Sequence, residues 1–312
     1  MVDDGRLRLR VRSARWEAEG ITSFRLARVD GAALPPWTPG AHLDLHLPSG
    51  AIRQYSLCGD PADLSAYRIA VLEQPHGRGG SVEAHRELRP GVLVEVGVPR
   101  THFDLVEAEQ YVFVAGGIGI TPLLPMVREV RRRGARWHLI YGARSAGHYA
   151  FAAELRRLGA GAVRFVDGVL DLAGIVAGST GAQIYACGPA GLLDALTELM
   201  RRAGRAGELH LERFATAPVA TAPGGGFEVE LARSGLRVPV GADETILEAV
   251  RAAGVEVPSS CETGICGTCE TKVLAGTIEH RDELLTEGER ATGSTMMVCV
   301  SRASCPRLVL DL

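Results

Sequence analysis

Through the first hundred residues, apolar positions alternate with polar ones in short runs. Leu7, Leu9 and Val11 alternate with arginines, and Leu43, Leu45 and Leu47 alternate with His42, Asp44 and His46. Residues 67–72 and 92–98 read as further strands, with Pro/Gly turns between the runs at Pro35-Pro36, Pro39-Gly40, Pro48-Ser49-Gly50 and Pro90-Gly91. A period of two buries one side of each strand and wets the other, so this segment is predicted to be a small antiparallel β-barrel.

The pattern changes near residue 106. Residues 111–115 form a continuous apolar strand, a glycine turn follows, and a helix is predicted over 122–133, ending at Gly134. Strands at 137–141 and 183–186 and a helix near 190–203 complete an alternation that implies a parallel sheet covered on both faces. Residues 215–226 read ATAPVATAPGGG, small residues with Pro and Gly and no apolar period, which marks a linker. Beyond it, Phe227–Leu231 and Leu236–Val240 form a hairpin turning at Ser234-Gly235. A helix capped by Asp243 or Thr245 follows, with Ile246, Leu247 and Val250 on one face and Gly254 closing it. The expected units are 1–105 (β-barrel), 106–217 (α/β), a linker at 218–226, and a compact α+β unit at 227–312.

With 312 residues, 46% hydrophobic and 23% charged, the chain has room for two or three domains. It opens MVDDGRLRLR, which lacks the apolar core of an export signal, and no run approaches the ~18 apolar residues that span a bilayer. The expectation is a cytoplasmic protein without membrane contact, in which cysteines are more often ligands than disulfides. The net charge of −3 is uneven: from Gly226 onward there are 8 basic and 14 acidic residues, against 26 and 23 before it. Neither part is basic enough to suggest nucleic acid. An acidic C-terminal unit suits docking on a basic protein surface; on charge alone a plain solvated surface is the better reading.

Cysteines carry the strongest chemical signal. Cys261, Cys266, Cys269 and Cys299 follow C-x4-C-x2-C and then a distant fourth, the plant-type [2Fe–2S] spacing. Three ligands on one tight loop need glycines so that backbone N–H groups approach the sulfides, and Gly264 and Gly267 stand in that loop. The fourth ligand is expected on a strand, Met297-Val-Cys299-Val. Zinc loops more often pair two C-x2-C hooks, so iron–sulfur is favoured over zinc. Cys305 breaks the spacing and reads as structural.

Two weaker patterns lie upstream. Arg53-Gln-Tyr55-Ser56-Leu57 is either an ordinary strand or a flavin site, with Tyr55 packing on the isoalloxazine, Ser56 near N5 and Arg53 on the phosphate. His76-Gly-Arg78-Gly79-Gly80-Ser81 precedes a possible helix and suits an anion. Ala115-Gly-Gly117-Ile-Gly119-Ile-Thr121-Pro122 departs from G-x-G-x-x-G but keeps a strand–turn–helix layout, with Thr121 as N-cap and Pro122 at the first helical position. Cys187-Gly188-Pro189 ends a later strand of the same sheet. Each alone is also compatible with plain turn chemistry.

Together, in order, R-x-Y-S-L-C, G-R-G-G-S, A-G-G-I-G-I-T-P, Y-x-C-G-P and P-S-S-C-E-x-G-x-C-G-x-C cover essentially the whole chain. With them the chain resembles the ferredoxin reductase superfamily, and more closely the phthalate dioxygenase reductase and vanillate demethylase reductase family. The resemblance implies a multidomain fold: an antiparallel β-barrel flavin domain, an α/β parallel-sheet nicotinamide domain and a β-grasp ferredoxin domain. It implies FMN held by Arg53, Tyr55, Ser56, Leu57 and the Gly79–Gly80–Ser81 turn. Nicotinamide contacts fall to Gly117, Gly119, Thr121, Pro122, Arg144, Cys187, Gly188 and Pro189. Phe214 aligns with the aromatic that shields the flavin, and the catalytic set becomes Ser56, Cys187 and Phe214. Arg144 is an uncomfortable neighbour, since an arginine there can accept a 2′-phosphate, but NADH is favoured over NADPH. Electrons are expected to pass from NADH through FMN and the [2Fe–2S] cluster to a separate terminal oxygenase of the Rieske type. The alternatives are another acceptor such as a P450, or a non-catalytic redox sensor. A monomer is the expected state.

Overall fold

A computed structural model describes residues 6–77, 79–159, 161–214, 225–259, 261–265, 267–282 and 284–312. The chain forms two compact units, Met1–Arg213 and Phe214–Leu312.

In the first unit, strands β1 (Arg6–Ala18), β2 (Ile21–Arg28), β3 (His42–His46), β4 (Ile52–Ser56), β5 (Tyr67–Leu72) and β6 (Leu93–Gly97) make an antiparallel sheet, with helix α1 (Gly80–Glu87) after β5. The order is β4-β3-β6-β1-β2-β5, and the sheet curls until its edges meet, where Cys58 N–H donates to the Arg68 carbonyl at 2.8 Å. Leu7, Leu9 and Val11 of β1 and Leu43, Leu45 and Leu47 around β3 are buried inside, as the alternation requires, but β3 departs from it on the other side, where His42 and Asp44 are buried as well and Asp44 pairs with Arg100 at 2.7 Å.

The second layer is wholly parallel: β7 (Gln110–Gly116), β8 (Arg136–Ala143), β9 (Val163–Asp167), β10 (Gln183–Cys187) and β11 (Leu209–Glu212), in the order β11-β10-β7-β8-β9. Helices α2 (Ile120–Arg132), α3 (Ala152–Gly159), α4 (Leu172–Gly178) and α5 (Ala190–Arg202) cover it. Tyr111, Phe113 and Ala115 of β7 pack toward α2, while Val112 and Val114 pack toward α4 and α5, so the continuous apolar run fills two cores. The first of these cores also takes in Ile21, Cys58 and Ala70 of the barrel, which makes barrel and sheet one body. Segment β9 and helices α3 and α4 were not signalled by the sequence; β9 is short and half-exposed, too weak for a period to show.

Polar contacts pin the seam between these layers. The Tyr185 hydroxyl accepts from Val106 N–H at 2.7 Å and donates to the Asp104 carbonyl at 3.0 Å, fixing the connecting segment. Arg68 of β5 reaches Glu154 of α3 with both terminal nitrogens (3.0 and 3.1 Å) and the Cys58 carbonyl at 2.8 Å. Arg128 of α2 pairs with the same carboxylate.

The second unit holds β12 (Phe227–Leu231), β13 (Leu236–Val240), α6 (Ile246–Ala252), β14 (Glu270–Ala275), β15 (Ile278–Glu279), α7 (Glu287–Thr292), β16 (Thr295–Met297), β17 (Arg302–Ala303) and β18 (Arg307–Leu310). Its main sheet runs β13-β12-β18-β14-β16, with β12 and β18 parallel and helix α6 packed on it, a β-grasp arrangement. Of the two candidate caps for α6, Thr245 takes the role, in a capping box with Glu248. The fourth cysteine differs from expectation: β16 ends at Met297, and Cys299 sits in the turn beyond it. The Val300 and Ser301 amides there donate back to the Met297 carbonyl instead of continuing a ladder. Most of the expected linker lies outside the described residues. No helix among the described residues is long and apolar enough to cross a membrane.

Glu154→Ala would leave two half-buried guanidiniums facing each other across the seam. A loss of about 2–3 kcal/mol is expected in urea unfolding of the first unit, larger than for a surface pair.

Candidate functional site

In the parallel sheet the chain steps from β7 outward through β8 and β9, then returns to the other side of β7 for β10 and β11. Ligands bind α/β sheets at such a reversal, outside the carboxyl ends of the strands. Two turns floor this crevice, Gly117–Gly119 after β7 and Cys187-Gly188-Pro189 after β10. They touch backbone to backbone. A Cβ on Gly116 would lie 2.6 Å from Pro189 Cδ, one on Gly188 would lie 3.0 Å from Gly116 Cα, and one on Gly119 would overlap the Cys187 carbonyl. These glycines therefore serve first to let the two turns meet. Gly117 differs: its φ is +55° and the space beside it is open.

Thr121 is not the N-cap. Helix α2 starts at Ile120, and Gly119 precedes it with no side-chain cap. The Thr121 hydroxyl donates to the Ile118 carbonyl at 2.9 Å, and Thr121 and Pro122 are both buried in the first turn. The hydroxyl bond back to the preceding turn displaces the capping geometry. Arg144 is exposed just past β8, at the same carboxyl edge.

The barrel meets this edge through β4. Ser56, its last residue, is buried, and its Oγ lies 3.4 Å from Glu212 Oε2. Glu212 ends β11 and is paired in register with Cys187, the end of β10. A serine, a thiol and a carboxyl from three strands thus gather at one place. Burial pushes the Glu212 carboxyl up to about 8, with the Ser56 hydrogen bond opposing it. The Cys187 thiol is raised well above its usual value, first by burial and then by Glu212, which makes it a poor nucleophile. Glu212 went unnoticed in the sequence because no motif surrounds it; only the pairing of β11 with β10 brings it beside Cys187.

Arg53 lies on β4, donates to the Ile52 carbonyl at 2.8 Å, and crosses so close over Gly80 that a Cβ there would overlap its guanidinium stem. Gly79, at φ +79°, precedes α1, and the Ser81 hydroxyl accepts from Gln74 N–H at 3.0 Å, keeping its own proton to donate. Tyr55 is half-buried on the same strand, and burial pushes its phenol up to about 12. Leu57 is wholly buried in the barrel core. Arg78 lies outside the described residues. Phe214 is exposed and opens the second unit.

In the second unit the Cys299 thiol hydrogen-bonds with Cys261 and Cys269, which raises it, while the same bond lowers Cys269. Thr263 N–H points at Cys261 Sγ at 3.3 Å, an amide aimed at a prospective ligand. Among the described residues no group of three or more His, Cys, Asp or Glu is set to hold a single metal ion, and the fourth expected ligand, Cys266, lies outside them. Gly264 (φ +74°) and Gly267 (φ +72°) give the loop its left-handed bends. Three gathered thiols and an inward amide fit a four-thiolate [2Fe–2S] cluster. Cys305 is half-buried and its Sγ accepts from Thr277 N–H at 3.1 Å, away from this group.

Comparison with known proteins bears on the same residues. The family described as "2Fe-2S iron-sulfur cluster binding domain" matches residues 229–304. The chain is 46% identical over 310 residues to phenoxybenzoate dioxygenase subunit beta of Ectopseudomonas oleovorans, covering 97% of each chain. Among solved structures it is similar to phthalate dioxygenase reductase, described as a modular structure for electron transfer from pyridine nucleotides to [2Fe–2S]. That match has 38% identity, a TM-score of 0.77 and 99% coverage of both chains. It is also similar to an intact type IV self-sufficient cytochrome P450 monooxygenase, at 42% identity and TM-score 0.87, covering 98% of this chain and 41% of the P450. This chain therefore spans less than half the length of that protein. The chain belongs to the phthalate dioxygenase reductase and vanillate demethylase reductase family, a family of oxidoreductases.

The raised Glu212 carboxyl makes stability depend on pH. Unfolded, an ordinary glutamate binds its proton below about 4.5; folded, this one holds it up to about 8. Its contribution is full below the first value and is lost as pH rises through the second. Between about pH 5 and pH 7.5 the natural chain should lose up to about 1.4 kcal/mol per pH unit relative to Glu212→Gln in urea unfolding.

Proposed function

We propose that the chain is the NADH-oxidising reductase component of an oxygenase or demethylase system, carrying FMN and one [2Fe–2S] cluster. The observation that carries this reading is the convergence of Ser56, Cys187 and Glu212. It joins the end of the barrel strand that bears Arg53 and Tyr55 to the switch-point crevice of the parallel sheet. A flavin over β4 and a nicotinamide over the β7 and β10 turns would meet there. Bound FMN supplies the conversion between a hydride, which carries two electrons, and the single electrons a [2Fe–2S] cluster accepts.

The chain's own groups set the stage for that exchange. Arg53 and the Gly79–Ser81 turn would hold the flavin phosphate, Tyr55 and Leu57 the ring system's surroundings, and the Ser56 hydroxyl a hydrogen bond near its reacting edge. Gly117, Gly119, Thr121, Pro122, Gly188 and Pro189 would shape the nucleotide crevice, and Arg144 its outer rim. Cys187 and Glu212, both protonated at neutral pH by burial, would place neutral hydrogen-bonding groups beside the nicotinamide and keep fixed negative charge away from it. Phe214 is read, from the family resemblance, as the aromatic that shields the flavin. Cys261, Cys266, Cys269 and Cys299 would bind the irons. The domains assigned to these tasks are 1–105, 106–217 and 227–312, joined by a linker at 218–226.

The terminal acceptor is read as a Rieske-type oxygenase acting on a small aromatic or related molecule, with the reductase a cytoplasmic monomer. A haem oxygenase is the second reading, favoured by the 42% identity to the P450 protein across 98% of this chain. Mixing reduced chain with a representative of each oxygenase class and following which is reduced separates the two.

Purified without air, the chain should contain iron and acid-labile sulfide in near-equal amounts and release FMN on denaturation, and NADH should bleach both absorption bands. Zinc in place of iron, or a colourless protein that resists reconstitution, would end the proposal. The C-terminal 87 residues carry 8 basic and 14 acidic side chains, so docking on a basic acceptor should weaken with salt. Raising ionic strength is expected to slow cytochrome c reduction severalfold and to leave stopped-flow bleaching by NADH unchanged. Equal sensitivity of both steps would rule electrostatic docking out.

A further inference from the structure

The second unit contains a carboxylate that the thiolate ligands do not account for. The Asp282 side chain is wholly buried, a rare place for an aspartate. Its Oδ2 accepts from Leu285 N–H at 2.9 Å and lies 3.7 Å from the Arg290 guanidinium; its Oδ1 accepts from the Ser301 hydroxyl at 3.3 Å and faces His280 Nδ1 at 3.4 Å. Arg290 also donates to the Asp282 carbonyl. The neighbouring Arg281 is engaged elsewhere, with Glu279 at 2.8 Å, so Arg290 is the guanidinium this carboxylate faces.

Its location gives these contacts their meaning. Asp282 packs against Gly264, between Cys261 and Cys266: a Cβ there would lie 3.0 Å from Asp282 Cα, 3.3 Å from its Cβ and 2.5 Å from Val300 Cγ2. Val300 and Ser301 directly follow Cys299. One side chain thus touches, or bonds to a group in, both segments that bear the expected ligands, and ties them to the start of α7.

We propose that Asp282 is a positioning residue for the cluster, and that the Asp282–Arg290 pair sets how readily the cluster accepts an electron. The proposal rests on the [2Fe–2S] reading above. Reduction adds one negative charge to a site already ringed by thiolates. A buried carboxylate behind the loop opposes that charge and a guanidinium beside it favours it; the wholly buried carboxylate is the less screened of the two, since the Arg290 side chain is 36% exposed. Removing the two charges one at a time should therefore move the cluster in opposite directions, which a merely loosened structure would not do.

The test uses the full-length chain with its cofactors, titrated potentiometrically at one fixed pH, with the reduced cluster followed by its electron paramagnetic resonance signal. Asp282→Asn keeps the size and an acceptor oxygen while removing the charge. It is expected to shift the reduction equilibrium about tenfold toward the reduced cluster, roughly 59 mV upward for one electron. Arg290→Gln is expected to shift it several-fold the other way. Asp282→Ala, which also removes the bridge, should lose iron to a chelator several times faster than Asp282→Asn. Unchanged potentials, or shifts of the same sign in Asp282→Asn and Arg290→Gln, would overturn the proposal. If Asp282→Asn holds no cluster, Arg290→Gln alone decides the charge claim by its sign. Absence of iron and sulfide from the unsubstituted chain would sink the cluster reading instead.

Discussion

At the carboxyl ends of β7 and β10 two turns from different strands touch backbone to backbone, because Gly116, Gly119 and Gly188 carry no Cβ. Any side chain at Gly119 would drive the first turn off the Cys187 carbonyl and open the floor of the crevice. On the other side of β10, β11 lies in register and sets Glu212 next to Cys187. The barrel then delivers Ser56 to the same place, and the Tyr185 and Arg68 contacts hold it there. The crevice follows from this close approach, and its chemistry follows from the crevice.

The same burial that builds the site selects its protonation. A carboxyl and a thiol brought among protein atoms both favour their neutral forms, and here Glu212 adds to the cost of ionising Cys187. Between barrel and sheet the opposite solution is used: Arg68 and Arg128 share the Glu154 carboxylate, so charge is buried with its partner. Neutral polar groups thus gather at the carboxyl edge of the parallel sheet, and paired charges hold the seam.

In the second unit the constraint is a loop that must bend back on itself. Glu262 (φ 54°), Gly264 and Gly267 all take left-handed conformations, which turns amides inward and brings Cys261 and Cys269 to Cys299. Across the 98% of this chain shared with a P450 monooxygenase and the 99% shared with a reductase that stands alone, the same layout serves chains of different total length.

Much of this could be read along the chain. Alternation in β1 marks a strand with one wet face, the unbroken apolar run of β7 marks burial on both faces, and cysteine spacing marks a cluster loop, because each is a local pattern set by backbone geometry; the same alternation in β3 misleads, since His42 and Asp44 are buried there. Pairing decided the rest. Glu212 and Asp282 are ordinary acids in sequence and become chemically distinct only when β11 lies beside β10, or when Gly264 packs on residue 282. Thr121 looked like a cap and Cys299 looked like a strand residue because local pattern cannot register a hydroxyl turned to Ile118 or a turn closed on Met297. Sequence fixes which residues can be buried. The energy of a buried polar group depends on its partners, and those come from distant parts of the chain only when it folds.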